Sequence, residues 1–258
     1  MDRALWISAS GMQAQTRMTE SIAHNLANVS TTGYKKGQVH FQDLFYQTLK
    51  TPGSTNNGVN GTAGIEMGNG SRVAAVNKNF SQGNLRQTGG ELNLAINGDG
   101  FFQITMPSGE TAYTRDGSFY RDANGSIVTA NGYPLVGAPT IPANATKVDI
   151  SQDGTVSVTA NNITNQAGSI QIVRFPNAEG LSPKGDNLYT QTPASGTATT
   201  STPGQNGSGT IRQGFLENSN VEIMDEMVDM ISSQRAFEII SKSVKTSDEM
   251  MHIVSNLK

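Results

Sequence analysis

Three histidines and a few carboxylates are the places where this sequence could do chemistry. His24, His40 and His252 are side chains that hold metals or relay protons, yet they lie far apart in the chain. None stands in the His-x3-His or HExxH spacing that places two rings on one helix face. Glu110, Asp116, Asp122 and Asp153 supply enough acids for a glycosidase pair, which needs two carboxyls about 5–9 Å apart. Nothing in their spacing brings any two together. The fragments NGDG, DANG and QDG read like pieces of calcium loops but lack the alternating ligands and the distal Glu, so turns explain them better. Gly68-Asn69-Gly70-Ser71-Arg72-Val73 opens like a dinucleotide-binding loop, then lacks the third glycine and any βαβ setting. There is no G-x-S-x-G elbow. The absence of cysteine removes disulfides and thiolate nucleophiles together. The expectation is a protein that is no enzyme and takes no cofactor or metal. Its work must then lie in its surfaces.

Bulk properties narrow the partners. The net charge is −3, and Lys35-Lys36 is the sole adjacent basic pair, so nucleic acid is a poor expectation. No stretch approaches the roughly 20 apolar residues of a membrane span, which argues against membrane insertion. The start, MDRALWISASGMQAQ, imitates a signal peptide, but its apolar run is too short. Any export is therefore expected without cleavage. With 28 glycines and only 15% charged residues, the chain should be rich in turns.

Three regions would position whatever the surfaces do. Leu5, Met12, Ile22, Leu26 and Val29 recur at helical spacing and predict a helix over 2–29, about 40 Å long. Gly33, after Ser30-Thr31-Thr32, is its stop signal. From about 85 to 215, short alternating runs such as Leu92/Leu94/Ile96 and Phe102/Ile104 are separated by Gly-Asp-Asn turns, which predicts a barrel or sandwich-like β domain. Residues 219–257 are expected to be helical, with Ser219 and Glu222 at capping-box spacing. There Ile223, Met230, Phe237, Val244 and Met251 form an unbroken seven-residue column, the mark of a helix that packs on other helices. Gln234, Ser241 and Asp248 beside it are polar, so it would make a poor two-stranded zipper alone. Two low-complexity stretches, 51–70 and 190–209, look like loops.

The fold class is thus α+β, with long N- and C-terminal helices forming a discontinuous coiled-coil-like domain around a central all-β domain. The expected divisions are 1–40, 41–84, 85–215 and 216–258. Isolated amphipathic helices are marginal in water. The terminal helices are therefore expected to stay loose until they find apolar partners on other copies of the chain. A β-rich carbohydrate-binding or wall-cleaving protein is the alternative from a different class.

The helix end resolves the choice. IAHNLANVSTTGYKK resembles the N-terminal signature of bacterial flagellar rod and hook axial proteins, matching at Asn25, Leu26, Ala27, Asn28, Thr31, Gly33, Tyr34 and Lys35. GFLENSNVEIMDEMVDMISSQRAFE resembles the family's C-terminal signature at Gly214, Leu216, Glu217, Ser219, Asn220, Val221, Gln234, Arg235, Ala236, Phe237 and Glu238. LAINGDGFFQI and YTRDGSFYRDANGSIVTANGYPLVG are similar to its β core. The resemblance implies a structural subunit of a helical tube, a homo-oligomer whose inner wall is built from both terminal helices. The length, and FQDLFYQTLKTPG with the stretch after it, favour a distal rod subunit over a proximal rod or hook subunit. Proximal rod proteins, the hook protein, the surrounding P- and L-ring proteins and the flagellar export apparatus would be its partners. Leu5, Met12, Ile22, Asn25, Leu26, Asn28 and Val29 would carry self-assembly on the first helix, and Ile223, Met230, Phe237, Val244 and Met251 on the second.

Overall fold

The computed structural model describes residues 2–50, 55–56, 59–60, 64–161 and 163–256. The chain divides into two compact units, one of Met1–Ala27, Gly37–Asn77 and Glu222–Lys258, the other of Asn28–Lys36 and Lys78–Val221.

The first unit holds the two long helices, α1 (Asp2–Ala27) and α2 (Ile223–Asn256). Its other elements are short strands. Gly37–Asp43 pairs with Ser71–Lys78, and Gln47–Lys50 pairs antiparallel with Ile65–Met67. This second hairpin lies along α1: Arg3 donates hydrogen bonds to the Gln47 side chain and to Met67 Sδ. Gly70, at φ +104, adopts backbone that a larger residue strains, and a Cβ there would fall 2.2 Å from Ser10 Oγ, which would have to turn away. Most of 51–64 lies outside the described residues.

The second unit is the β body. Its largest sheet runs Ser182–Gly185, Leu188–Thr190, Thr111–Thr114, Phe102–Thr105, all antiparallel. A three-stranded sheet joins Ala145–Ile150, Thr155–Ala160 and Ile163–Ser169. The remaining sheets of this unit are two-stranded, and among the described residues none closes into a barrel. Frequent glycine turns keep the strands too short for a continuous barrel or a broad sandwich. Instead a common core forms under the sheets from Leu94, Ile96, Phe102, Ile104, Ile127, Val156, Ile172 and Ile211. The alternation visible in the sequence is this core's inward face. A second, aromatic cluster centres on Phe101, Tyr113, Phe175 and Tyr189, with Tyr113 and Phe175 edge-to-face at 4.8 Å.

The turn fragments are turns. In DANG, Gly125 N–H donates to Asp122 O, and a Cβ at Gly125 would lie 2.1 Å from Ile141 O. In QDG, Gly154 N–H donates to Ser151 O while the Asp153 carboxylate accepts from Thr155 N–H and Oγ1. That hydrogen bonding holds the Asp153 carboxyl below its ordinary range.

Candidate self-assembly surface

α1 ends at Ala27 rather than Val29, and the chain leaves it through a turn in which Thr31 N–H and Oγ1 both bond back to Asn28. In the β body, Gly33 at φ +68 presses its Cα against the Arg115–Asp116 backbone, where a Cβ would be 2.7 Å from Asp116 N. Its own N–H donates to Glu217 O at 2.8 Å. Lys35 follows, fully buried, with Nζ 2.6 Å from Glu217 Oε1 and 2.7 Å from Ser81 O. Arg115 Nη1 approaches the other oxygen of Glu217 at 3.4 Å. Burial pulls the Lys35 and Arg115 pKa values down, and the Glu217 carboxylate pushes them back up. Asn220 completes the attachment: its Oδ1 accepts from Lys36 N–H at 2.8 Å and its Nδ2 donates to Asn79 O. The two terminal signatures therefore meet in the β body.

In the first unit the two helices pack on each other, although their apolar partners were expected on other copies. Their seam is small and polar. On α2 it follows Glu226, Ser233, Ile240 and Ser247, a heptad column of which Glu226, Ser233 and Ser247 are buried. Ser233 Oγ lies 3.0 Å from Thr19 Oγ1 and 3.0 Å from Gln15 Oε1. Asn25 Nδ2 donates to Glu226 Oε2 at 3.2 Å and to Gly37 O at 2.9 Å, and Asn25 Oδ1 accepts from Gly37 N–H. Gly11 leaves room for Ile240, whose Cδ1 would stand 3.3 Å from a Cβ there.

The apolar residues flank that seam or face away from it. On α1, Ile22 and Asn25 are buried, Leu5, Met12 and Leu26 are half-buried, and Trp6 is 76% exposed. Asn28 and Val29, in the turn beyond the helix, are half-buried. On α2, Met230, Val244 and Met251 are half-buried, while Ile223 and Phe237 are 47% and 41% exposed. Met224, Met227, Val228 and Ile231 then form a full i, i+3, i+4, i+7 stripe, all exposed. The pair buries a polar column beside Ala14 and Ile22 and leaves much of its apolar surface on α2 exposed. Sequence reasoning found the column through Phe237 and the flanking Met227, Ile231 and Ile240, but missed the polar seam and the continuation of the stripe to Met224 and Val228. Ser219 does not cap α2: its Oγ accepts from Val221 N–H, and the helix begins only at Ile223.

No helix is long and apolar enough to cross a membrane, and no cluster of metal-ligating side chains exists among the described residues.

Comparison with known proteins matches three families in chain order. One described as flagella basal body rod protein matches residues 5–35. One described as flagellar hook protein FlgE/F/G D1 domain matches 95–158, and one described as flagellar basal body rod FlgEFG protein C-terminal matches 212–257. The flagellar basal-body rod protein FlgG of Buchnera aphidicola subsp. Schizaphis graminum is 46% identical over 98% of this chain and 99% of its own. Two relatives from Caulobacter vibrioides separate the subtypes: its FlgG is 41% identical over 99% of both chains, its FlgF 34% over 97% of this chain and 95% of its own. The chain belongs to the FlgG family of flagellar basal-body rod proteins.

Proposed function

We infer that the chain is a structural subunit of the distal flagellar rod, acting in the basal body as part of a rigid tubular shaft that transmits motor torque to the hook. Its mechanism is packing against other copies of itself. The exposed stripe Met224, Met227, Val228, Ile231 carries this reading. Full burial of such side chains contributes about 1.5–3 kcal/mol each, and a neighbouring subunit supplies that burial. The polar seam holds α1 to α2 in each copy, and the apolar faces of several copies close into a coiled-coil-like inner wall. Residues 1–40 and 216–258 are the inner-tube portion, with 85–215 outside it. Within that portion Leu5, Met12, Leu26 and Val29 join Ile223, Met230, Phe237, Val244 and Met251 as contact residues. Ile22 and Asn25 set the helix pair, and Asn28 sets the turn. Proximal rod, hook, ring and export proteins are the partners along the way.

The test is Ile231→Asp. Because Ile231 is exposed in the single chain, the variant should keep the monomer's circular dichroism and melting temperature while losing rod assembly and motility. Wild-type swimming would overturn the reading.

A further inference from the structure

The β body contains a cleft of about 220 Å³ whose wall includes Phe80, Phe101 and Phe175, with Arg115, Arg174 and Asp99 as its charged groups. Arg115 is 97% withdrawn from solvent, its guanidinium 5.4 Å from the centre of the Phe101 ring. Its donors are incompletely used. Nη1 reaches Ile96 O and Glu217 Oε2, Nη2 donates to Gly98 O at 2.8 Å, and Nε has no hydrogen-bond partner among the described residues. The charges do not balance either. Lys35 and Arg115 share the one carboxylate of Glu217, so this buried group carries one excess positive charge. Toward solvent, Arg174 and Asp99 stand 3.7 Å apart, and the Asp99 carboxylate also attracts Arg115, so the two carboxylates still leave the three cations one positive charge in excess. A buried excess charge is costly until a counter-charge approaches it.

We propose that this cleft is a carboxylate site, with Arg115 at its back, Arg174 at its mouth and the phenylalanine rings as its walls. The excess of one charge suits a monoanion. A guanidinium fork suits a planar carboxylate, and the edge-to-face phenylalanine rings give the cleft an apolar wall for a short aliphatic stem. An Asp or Glu side chain of a second copy and a free organic acid share that chemistry. The site stands on the cleft alone; only the second-copy source rests on the polymer reading.

The experiment titrates the full-length monomer with propionate, which mimics a glutamate side chain, and with neutral propionamide, following the arginine Nε–H resonances by NMR. Propionate should shift the Arg115 and Arg174 signals saturably, and propionamide should not. Arg174→Gln should weaken binding about tenfold, as expected for losing a hydrogen bond to a charged group. Ala178→Phe, which fills the cleft without changing charge, should abolish it. Asp99→Asn removes the like charge at the rim from a side chain 79% exposed, and should tighten binding. A merely structural Arg115 predicts no such gain. An unsaturable response, or equal responses to the two probes, would mean an adventitious ion only and overturn the proposal. Propionate that binds and also slows polymerisation identifies a second copy as the source; propionate that binds without affecting it identifies a free acid. A monomer that binds propionate but never polymerises would overturn the preceding section's reading and leave this one standing.

Discussion

Gly33 and Glu217 do most to fix the path of the chain after α1. At Gly33 both conformation and space demand glycine, since φ is +68 and the Asp116 backbone occupies the place of a Cβ. Gly33→Ala should therefore destabilise the β body by at least about 1–3 kcal/mol, the cost of a strained left-handed residue, read as a lower melting temperature with α-helix content retained. The ion cluster makes an asymmetric prediction. Lys35→Met leaves Glu217 and Arg115 as a balanced pair, whereas Glu217→Leu leaves two buried cations facing each other. Glu217→Leu should cost the larger amount, about 3–5 kcal/mol or more, and Lys35→Met clearly less. Denaturant titration of the two variants ranks them, and the reverse order would refute the charge count. Tyr189, buried in the aromatic cluster, gives the alkaline behaviour. Burial raises its pKa above the ordinary value of 10.0. Above that pH the unfolded chain releases this proton while the folded chain keeps it, so stability falls by about 1.4 kcal/mol per pH unit until the folded group also ionises. Burial lowers the pKa of Lys35 and Lys78 below 10.5, which acts in the opposite sense between their lowered values and 10.5. Tyr189→Phe should flatten the decline at about pH 11 in melts across that range.

For the elements, the distinction is between what a helix needs alone and what it needs from a neighbour. Phe237 lies at the centre of the heptad column, and truncating a fully buried aromatic costs about 3–5 kcal/mol. In the single chain it is 41% exposed. Phe237→Ala should accordingly cost the monomer no more than about 1 kcal/mol and show its main effect as lost polymerisation in sedimentation assays. A large monomer destabilisation would place that face against α1 instead. Ser233→Leu should do the converse, prying the helices apart at the seam and loosening the monomer itself. These elements were unequally legible in the sequence. Helix existence, the turns at Gly125 and Gly154 and the alternation of Phe102 and Ile104 are local, and local rules found them. The seam was not, because Ser and Glu on an amphipathic helix read as the solvent side, and only the partner helix turns them inward. The Lys35–Glu217 pair joins residues 182 positions apart, and no periodicity encodes such a distance. A barrel or sandwich-like β domain was expected from strand spacing alone, which marks a β-rich region but says nothing about which strands pair.

At the scale of the whole molecule, we propose that the hairpin after Asp43 stiffens the assembled tube. Phe45 is 93% exposed, and Phe41, Tyr46, Leu49, Ile65 and Met67 are each between 40% and 57% exposed. Among the described residues nothing covers this apolar surface. A brace between adjacent subunits would cover it. Replacing Phe45 and Tyr46 by Ser should leave the monomer folded and polymers forming, but the polymers should be curved or soft in electron micrographs; straight, stiff ones would make the hairpin a mere loop. A different consequence follows from how the β body is closed. Leu85–Gln87 pairs with Phe215–Glu217, and Leu94–Asn97 with Thr210–Gln213, so the first strands of the body wait for its last. Contacts of such long sequence separation make folding slow and late. During synthesis, about five-sixths of the chain must emerge before Leu85–Gln87 has its partner, so local hairpins such as Phe102–Thr105 with Thr111–Thr114 form early while closure of the body comes last. Were the subunit to pass a narrow conduit before assembly, late closure would keep its body from locking shut too early.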